Sequence, residues 1–178
     1  MFQDGRSKKV VFIAHCLLNQ NAISDGTAVY PAAFREVIGL FLREGIGIVQ
    51  MPCPEFCCLG LDRGNVNGAD SPVTVENTRI RKAMQESGAN RKLAELAGHV
   101  TRQISEYYDY GFEIIGIIGA NRSPSCGVET TSDQDREMDG KGLFMEKISE
   151  GLAKAKIAVP MIGIKTADDV DLIRGFLE

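Results

Sequence analysis

The sequence predicts a three-layer α/β/α domain with a mostly parallel, doubly wound sheet of about four or five strands. Two patterns support this prediction: short Val- and Ile-rich runs without strict alternation, and helical stretches between them. Strands covered on both faces read as continuous apolar runs. Regular alternation of strand and helix implies right-handed crossovers between parallel strands. The 178 residues contain no evident linker or repeat, so we predict a single α/β domain over residues 1–178.

Four apolar runs predict the strands of this sheet. They lie at residues 9–14, 46–51, 113–119 and 158–164. The run "FEIIGIIGAN" at 112–121 is the most apolar stretch of the chain and is followed by the polar segment "RSPSCG" at 122–127. Such a change after a buried strand marks a loop at the carboxyl edge of the sheet, where ligands bind in this fold class.

Apolar residues at helical spacing predict helices between the strands. The first helix is expected within residues 28–45, and Gly45 is expected to end it. Its predicted buried face consists of Val29, Ala33, Val37, Leu40 and Phe41. The longest is expected over residues 89–111. A third covers about 141–156, and a last begins at Thr166, whose hydroxyl can cap it together with Asp169.

Two further segments have weaker patterns. Residues 60–71 are rich in Gly and Asn and predict a loop, followed by a helix over about 73–87. The acidic run "TSDQDREMDG" at 131–140 predicts a solvated loop that could act as a lid over a site.

Charge and hydropathy exclude several classes of function. The formal net charge of −4 provides no global basic field for a long nucleic acid, although a local basic patch stays possible. No apolar run is long enough to span a membrane. The N-terminal residues lead into a strand rather than a secretory segment, so we expect a cytoplasmic protein. The odd number of cysteines, five, argues against a disulfide framework there.

Three cysteines follow successive predicted strands. Cys16, Cys53 and Cys126 each lie in a loop at the carboxyl edge of the sheet. Neighbouring strands are about 4.8 Å apart, so these thiols can converge on one centre. They could be metal or cluster ligands, a nucleophile or inert buried thiols. Structural zinc favours four ligands, and the directly adjacent Cys57 and Cys58 are poorly placed to chelate one ion. Three thiolates on an iron–sulfur cluster would leave one iron open as a Lewis acid, but the spacing alone does not identify the metal.

Four motifs resemble one known family. They are "HCLLNQN" at 15–21, "PCPE" at 52–55, "NRSPSCG" at 121–127 and "GKGLF" at 140–144, preceded by Asp139. Their order and spacing are similar to those of the DUF523 family, whose characterised members are thiouracil desulfidases. The resemblance implies a [4Fe–4S] cluster on Cys16, Cys53 and Cys126. It implies a desulfidase that removes sulfur from a thiolated nucleobase or nucleoside without net redox change. Preparation in air is expected to remove the cluster, leave zinc in its place or oxidise the thiols.

The same resemblance assigns proton handling to Glu55 and Ser123. A carboxylate two residues from an iron ligand can deprotonate the attacking water, and a nearby hydroxyl can relay a proton. Without the resemblance, Glu55 is also explained as a solvated loop acid or as an N-cap partner for a following helix, and Ser123 is equally explained as part of the turn around Pro124. We expect Asn19, Ser125 and His15 to contact the substrate.

This chain departs from the family pattern on the presumed substrate side. Asn19 stands where the family usually has Gly, and "FCCLGLDRG" replaces a proline-rich segment after "PCPE". These departures leave the cluster prediction intact and leave the substrate open. We expect a small thiolated base or nucleoside as the binding partner, and the sequence predicts no oligomeric state.

Two other functions stay open. The same cysteines could serve a non-catalytic metal, sulfur or nucleobase sensor. The spacing of Cys57 and Arg63 also matches the Cys-x5-Arg loop of cysteine phosphatases, although Gly64 stands where Ser or Thr is expected. Arg63 and Arg122 could bind an anionic group of a substrate, or they could be ordinary surface charges.

Overall fold

A four-stranded parallel sheet forms the centre of the protein in the computed structural model, which describes residues 2–177. The order of its strands is β2-β1-β3-β6, and a two-stranded antiparallel sheet pairs β4 with β5. The six strands are β1 Lys9–Ile13, β2 Gly47–Gln50, β3 Glu113–Ala120, β4 Thr130–Asp133, β5 Arg136–Asp139 and β6 Met161–Ile164. The predicted α/β fold is confirmed, and each of the four predicted strands overlaps a strand of the parallel sheet.

Helices cover the sheet in two layers. Helices α3 to α6 pack against one another, and α2 packs with α7. The helices are α1 His15–Leu18, α2 Arg35–Arg43, α3 Pro54–Leu59, α4 Val73–Gln85, α5 Ser87–Asp109, α6 Leu143–Ala155 and α7 Val170–Leu177. None of the helices in the described part of the chain has the length and apolar character needed to cross a membrane.

The core lies between the sheet and these helices. Phe12 and Ile117 of the sheet, Phe41 of α2 and Phe144 of α6 are all 0% exposed. Burial of each such side chain stabilises the fold by roughly 1.5–3 kcal/mol. Strands β1 and β3 lie at the centre of the sheet, and they lead into the loops of Cys16 and Cys126. The burial of their apolar residues therefore fixes the starting points of both loops.

The longest predicted helix is confirmed as α5. Leu93, Ala97, Val100 and Ile104 are its buried residues. The helix ends near Gly111, which has a φ of +72°, a conformation that glycine adopts without a steric penalty. The apolar spacing therefore identified the buried face correctly.

The first predicted helix begins later than expected. Helix α2 starts at Arg35, and Val29 is 57% exposed. Residues 28–34 stay outside the helix because Gln20 Oε1 accepts the backbone N–H groups of Val29 and Tyr30, at 3.0 and 3.4 Å. Pro31 also lacks an N–H group for a helical hydrogen bond. The segment instead lies beside the loop that follows β1.

The predicted solvated loop at 131–140 is wrong. Strands β4 and β5 form a hairpin whose two turn residues, Gln134 and Asp135, have φ angles of 51° and 59°. Positive φ at both central residues is the mark of a type I′ turn. Thr131 and Ser132 are buried, and the N–H of Asp135 donates to Thr78 Oγ1 of α4 at 2.8 Å. The hairpin is thus packed against α4 and is not a lid.

The strand order creates a crevice at one edge of the sheet. From β1 the chain crosses to β2 on one side, and from β3 it continues to β6 on the other. Ligands in open α/β sheets bind where the strand order reverses, outside the carboxyl ends of the strands. Here this point lies between β1 and β3, the strands that precede Cys16 and Cys126.

Candidate active site

The three strand-end cysteines line one cavity. Cys16, Cys53 and Cys126 face a space of about 90 Å³ together with Glu55 and Ser123. Cys126 is 8% exposed, and Cys16 and Cys53 are half-buried. The three thiols therefore share one cavity, and both residues expected to handle protons line it as well.

Cys16 is positioned by the turn that ends β1. The N–H of Ala14 donates to the carbonyl of Ile118 at 2.9 Å, so the turn stays beside β3. Helix α1 then begins at His15. Gln20, which is 3% exposed, donates from Nε2 to the carbonyl of Cys16 at 2.8 Å. This amide holds the cysteine backbone on one side and residues 29–30 on the other.

Cys53 is the N-cap residue of α3. Its sulfur accepts the backbone N–H of Phe56 at 3.5 Å, and Pro54 follows at the first helical position, where it needs no hydrogen-bond acceptor. Donation from the helix N-terminus favours the thiolate form of the sulfur. The motif "PCPE" is therefore a helix start that presents Cys53 and Glu55 to the cavity.

Cys126 lies in a loop whose own side chains accept hydrogen bonds from its backbone. Ser123 Oγ accepts the N–H groups of Cys126 and Ser125 at 2.9 and 3.2 Å. Asn121 Oδ1 accepts three consecutive N–H groups, those of residues 128–130, at 3.1–3.3 Å. A side chain at Gly127 would collide with the carbonyl oxygen of Thr130, so the motif needs glycine for close backbone approach.

A buried ion pair joins the glutamate to the cysteines. Arg63 Nε lies 3.4 Å from Glu55 Oε2, and Arg63 Nη2 lies 3.6 Å from Cys53 Sγ. Ser123 Oγ donates to Glu55 Oε1 at 3.3 Å. Glu55 is 7% exposed, so it is not a solvated loop acid. Its two oxygens connect the loop of Cys126 with the segment that follows α3.

Burial raises the pKa of all three thiols. The pKa of Cys16 rises to about 12 and that of Cys53 to about 11, in both cases mainly through loss of solvent and also through the nearby charge of Glu55. The pKa of Cys126 is raised well above the reference value of 9.0 by burial and by the other two cysteines. Arg63 partly opposes these shifts. Without a bound cation, the thiols are therefore protonated at neutral pH.

The residues expected to contact the substrate lie outside the cavity lining. His15 Nδ1 is 2.7 Å from Gln50 Nε2, and Asn19 Oδ1 accepts the N–H of Asn21 at 3.2 Å. Ser125 is 0% exposed, and in the described part of the chain its Oγ has no hydrogen-bond partner. None of the three side chains lines the cavity in this structure, so their contact with a substrate stays a prediction.

Cys57 and Cys58 are separate from the cavity. Both lie in α3, and Cys58 Sγ donates to the carbonyl of Ala89 at 3.6 Å. Arg63 contacts Cys53 and Glu55, and Cys57 lies within α3, which continues to Leu59. This arrangement is not the open phosphate-binding loop that a cysteine phosphatase requires.

The cavity lining contains further polar residues. Gln20 and Asn77 are buried, and Asn77 Nδ2 donates to the carbonyl of Arg122 at 3.3 Å. Arg122 and Lys165 also line the cavity, and Lys165 Nζ pairs with Glu137 at 2.5 Å. Gln20 and Arg122 lie within the motifs around Cys16 and Cys126. Asn77 and Lys165 were missed because no local motif marks them.

The donor set fits an iron–sulfur cluster. Thiolates are the usual ligands of such clusters, and three line this cavity. The buried hydroxyl of Ser125, without a partner in the described region, lies one residue from Cys126 and is able to donate to an added acceptor. Within residues 2–177, no three His, Cys, Asp or Glu side chains are grouped to hold a metal ion. A cluster distributes its thiolates over several irons, so its ligands stand farther apart than those of a single ion.

Comparison with known proteins gives one distant relative. The uncharacterized protein MJ0003 of Methanocaldococcus jannaschii is 26% identical over 157 residues, which cover 88% of this chain and 86% of the relative. No family model matches the chain, and no solved structure matches it significantly. The name of the relative states no activity, so the case for a function rests on the residues of the site.

Proposed function

We propose that this protein is a [4Fe–4S]-dependent desulfidase that removes sulfur from a thiolated nucleobase, nucleoside or similar thiocarbonyl compound. One observation supports this proposal above the others: three thiols from three strand-end loops line a single cavity with a buried glutamate. The motif resemblance to the DUF523 family adds the identity of the cluster and the class of reaction. The cytoplasm, where thiols stay reduced, is the matching compartment for five free cysteines.

Cys16, Cys53 and Cys126 would hold the cluster through their thiolates. When bound, the cluster supplies an iron that is not ligated by the protein and that can bind and polarise the thiocarbonyl sulfur. The cysteines must lose their protons for this purpose, and their raised pKa values mean that metal binding has to drive the loss.

Glu55 is the residue that can accept a proton from the attacking water. The reaction replaces C=S by C=O. Water gives its oxygen to carbon, and the sulfur leaves as hydrogen sulfide, which carries the two protons of the water. No electron is gained or lost overall. Glu55 Oε1 already accepts the Ser123 hydroxyl at 3.3 Å. The serine can therefore hold the carboxylate in place and return a proton when the sulfur leaves.

The lining around this pair fits a small, largely apolar ring. Leu17, Ile23, Val29, Phe34 and Ile164 contribute apolar surface to the cavity. Ligand sites are mostly apolar with few polar groups that fix orientation. A flat heterocycle can thus pack against these side chains while its thiocarbonyl points toward the cysteines.

Anaerobic reconstitution with iron and sulfide tests the cluster. We expect bound iron and acid-labile sulfide, with a broad absorption band at roughly 400 nm from iron–thiolate charge transfer. Serine variants of Cys16, Cys53 and Cys126 should each lose this band. Cys57→Ser and Cys58→Ser are the matched controls, because both thiols lie outside the cavity, and they should retain it. A band that survives all three ligand variants would exclude the proposed ligands.

Sulfide release from a thiolated substrate tests the activity. Reconstituted protein should release sulfide from thiouracil or thiouridine and yield the corresponding carbonyl product. A cluster that forms but converts none of these compounds would favour a binding or sensor protein instead. Hydrolysis of p-nitrophenyl phosphate that depends on Cys57 would contradict both readings and indicate a phosphatase.

A further inference from the structure

Arg63 is a buried cation that contacts two residues of the proposed machinery. Its side chain is 2% exposed. Nε donates to Glu55 Oε2 at 3.4 Å, and Nη2 donates to Cys53 Sγ at 3.6 Å. An arginine stays charged in a protein, so this contact brings a fixed positive charge next to a thiol and a carboxylate. The sequence alone leaves Arg63 as a surface charge, a binding residue for an anionic substrate group or a phosphatase arginine, and its burial excludes the surface charge.

Backbone carbonyls hold the guanidinium rigidly. Nη1 donates to the carbonyls of Leu61 and Gly60 at 2.6 and 3.4 Å, and Nη2 donates to that of Ala22 at 2.6 Å. All three nitrogens of the group are therefore engaged, and they are held by the neighbouring residues 60–61 and by Ala22 from a distant segment. The guanidinium is thus held independently of Glu55 and Cys53.

The backbone of Arg63 is also fixed. Its φ of 54° is a conformation that residues other than glycine rarely adopt. Its carbonyl accepts Arg79 Nη2 at 2.8 Å, and Arg79 is held by Glu76 at 2.7 Å. Backbone strain of this kind persists only where surrounding contacts impose it, and it is concentrated at functional sites.

We propose that Arg63 is a positioning residue of the site, which holds the sulfur of Cys53 and the carboxylate of Glu55 in one arrangement and offsets their negative charge. When the cysteines lose their protons to hold a cluster, three thiolates and a carboxylate in one small cavity repel each other, and Arg63 is a buried positive charge in contact with two of these groups. Its effect on turnover rests on the proposed function. Its hydrogen bonds exist without the cluster and are tested separately.

The cluster provides the first test. Arg63→Gln removes the charge, and Arg63→Lys keeps the charge but cannot donate to Cys53 and Glu55 together. We expect a more negative reduction potential for the reconstituted cluster in Arg63→Gln, because hydrogen bonds and positive charge near the sulfurs favour reduction. The potential of Arg63→Lys should stay closer to that of the unchanged protein. In both variants kcat should fall about 10- to 100-fold with little change in KM.

An arginine away from the cavity is the control. Arg174 of α7 pairs with Asp171 at 2.9 Å, and no residue of α7 lines the cavity in the described part of the chain. Arg174→Lys should leave the reduction potential unchanged. An unchanged potential and unchanged kcat in Arg63→Gln would overturn the proposal. A shifted potential in a protein that releases no sulfide would support Arg63 and remove the desulfidase function.

The protein without cluster provides the second test, which also applies if a variant fails to take up iron. The Nε–H of Arg63 should give a slowly exchanging signal in a ¹⁵N–¹H spectrum, identified by its absence in Arg63→Lys. Glu55→Gln and Cys53→Ser should each shift this signal, since each alters an atom that accepts a hydrogen bond from the guanidinium. A rapidly exchanging signal, or one that neither variant moves, would overturn the proposal.

Discussion

The raised pKa values of the three site cysteines make the cluster-free protein less stable as the pH becomes alkaline. Cys16 and Cys53 have pKa values of about 12 and 11, against a reference of 9.0. Between about pH 9 and 11 the folded protein therefore binds more protons than the unfolded chain, and the free energy of unfolding falls as pH rises. We expect the urea midpoint to decrease from pH 9 to 10.5.

A site with two of its three cysteines replaced separates this effect from other alkaline titrations. The double variant Cys16→Ser, Cys53→Ser lacks two of the shifted thiols, while every lysine and tyrosine is retained. Its urea midpoint should decrease less over the same pH range. Equal slopes in the two proteins would show that these thiols do not titrate as their burial indicates.

Glu55 is the proposed proton acceptor of the reaction. Glu55→Gln keeps the size of the side chain but removes the proton acceptor, so turnover should fall about 10²- to 10⁴-fold. The three thiols are untouched, so iron content should be retained. The variant also leaves Arg63 without its carboxylate, and a lower melting temperature is expected from that buried unpaired charge. Sulfide release at full iron loading is the measurement, and normal release would remove Glu55 from the mechanism.

At the scale of elements, the loop between β3 and β4 is the least tolerant part of the site. At Gly127 an added Cβ would meet the carbonyl oxygens of Thr130 and Ser123, which belong to the backbone and cannot move aside. Gly127→Ala should reduce the free energy of unfolding by about 1–3 kcal/mol and reduce iron uptake, because the loop positions Cys126.

A glycine in α5 is the matched control for this substitution. At Gly98 an added Cβ would meet only the end of the Arg102 side chain, at 3.5 Å. Gly98→Ala should therefore stabilise the protein by about 0.5–1 kcal/mol, as alanine does inside a helix, without changing iron uptake. Urea unfolding and iron analysis of both variants measure the contrast. Equal stability of the two alanine variants would contradict the proposed packing around Gly127.

The elements also show what could be predicted from sequence. The buried strands were predictable because they are short, continuous apolar runs, and α5 because its apolar residues follow the helical period. Cys16, Cys53 and Cys126 were found from their position after such strands. The hairpin was missed because Thr130–Asp133 and Arg136–Asp139 are polar, and their burial comes from contacts with α4. Arg63 was ambiguous for the same reason: its partners Ala22 and Glu55 lie in other segments.

At the scale of the whole molecule, the central sheet positions the three loops that contain the site cysteines. The loops of Cys16, Cys53 and Cys126 leave three adjacent strands, β2-β1-β3, and meet at one edge. A ligand shared by all three would connect segments that are far apart in sequence. Because it binds only the folded arrangement of these loops, it must stabilise the entire fold.

Cluster loading should therefore raise the melting temperature and slow hydrogen exchange in selected segments. Residues 15–34, 53–72 and 121–130 contain the ligands and their supporting loops, and their amides should exchange more slowly in the loaded protein. Helix α5 is packed in the core away from the cavity lining, so its exchange should change little under conditions of local opening. Hydrogen-exchange mass spectrometry of loaded and cluster-free protein measures both regions at once. Protection gained in α5 but not in the three loops would mean that the cluster, if bound, is held elsewhere in the molecule.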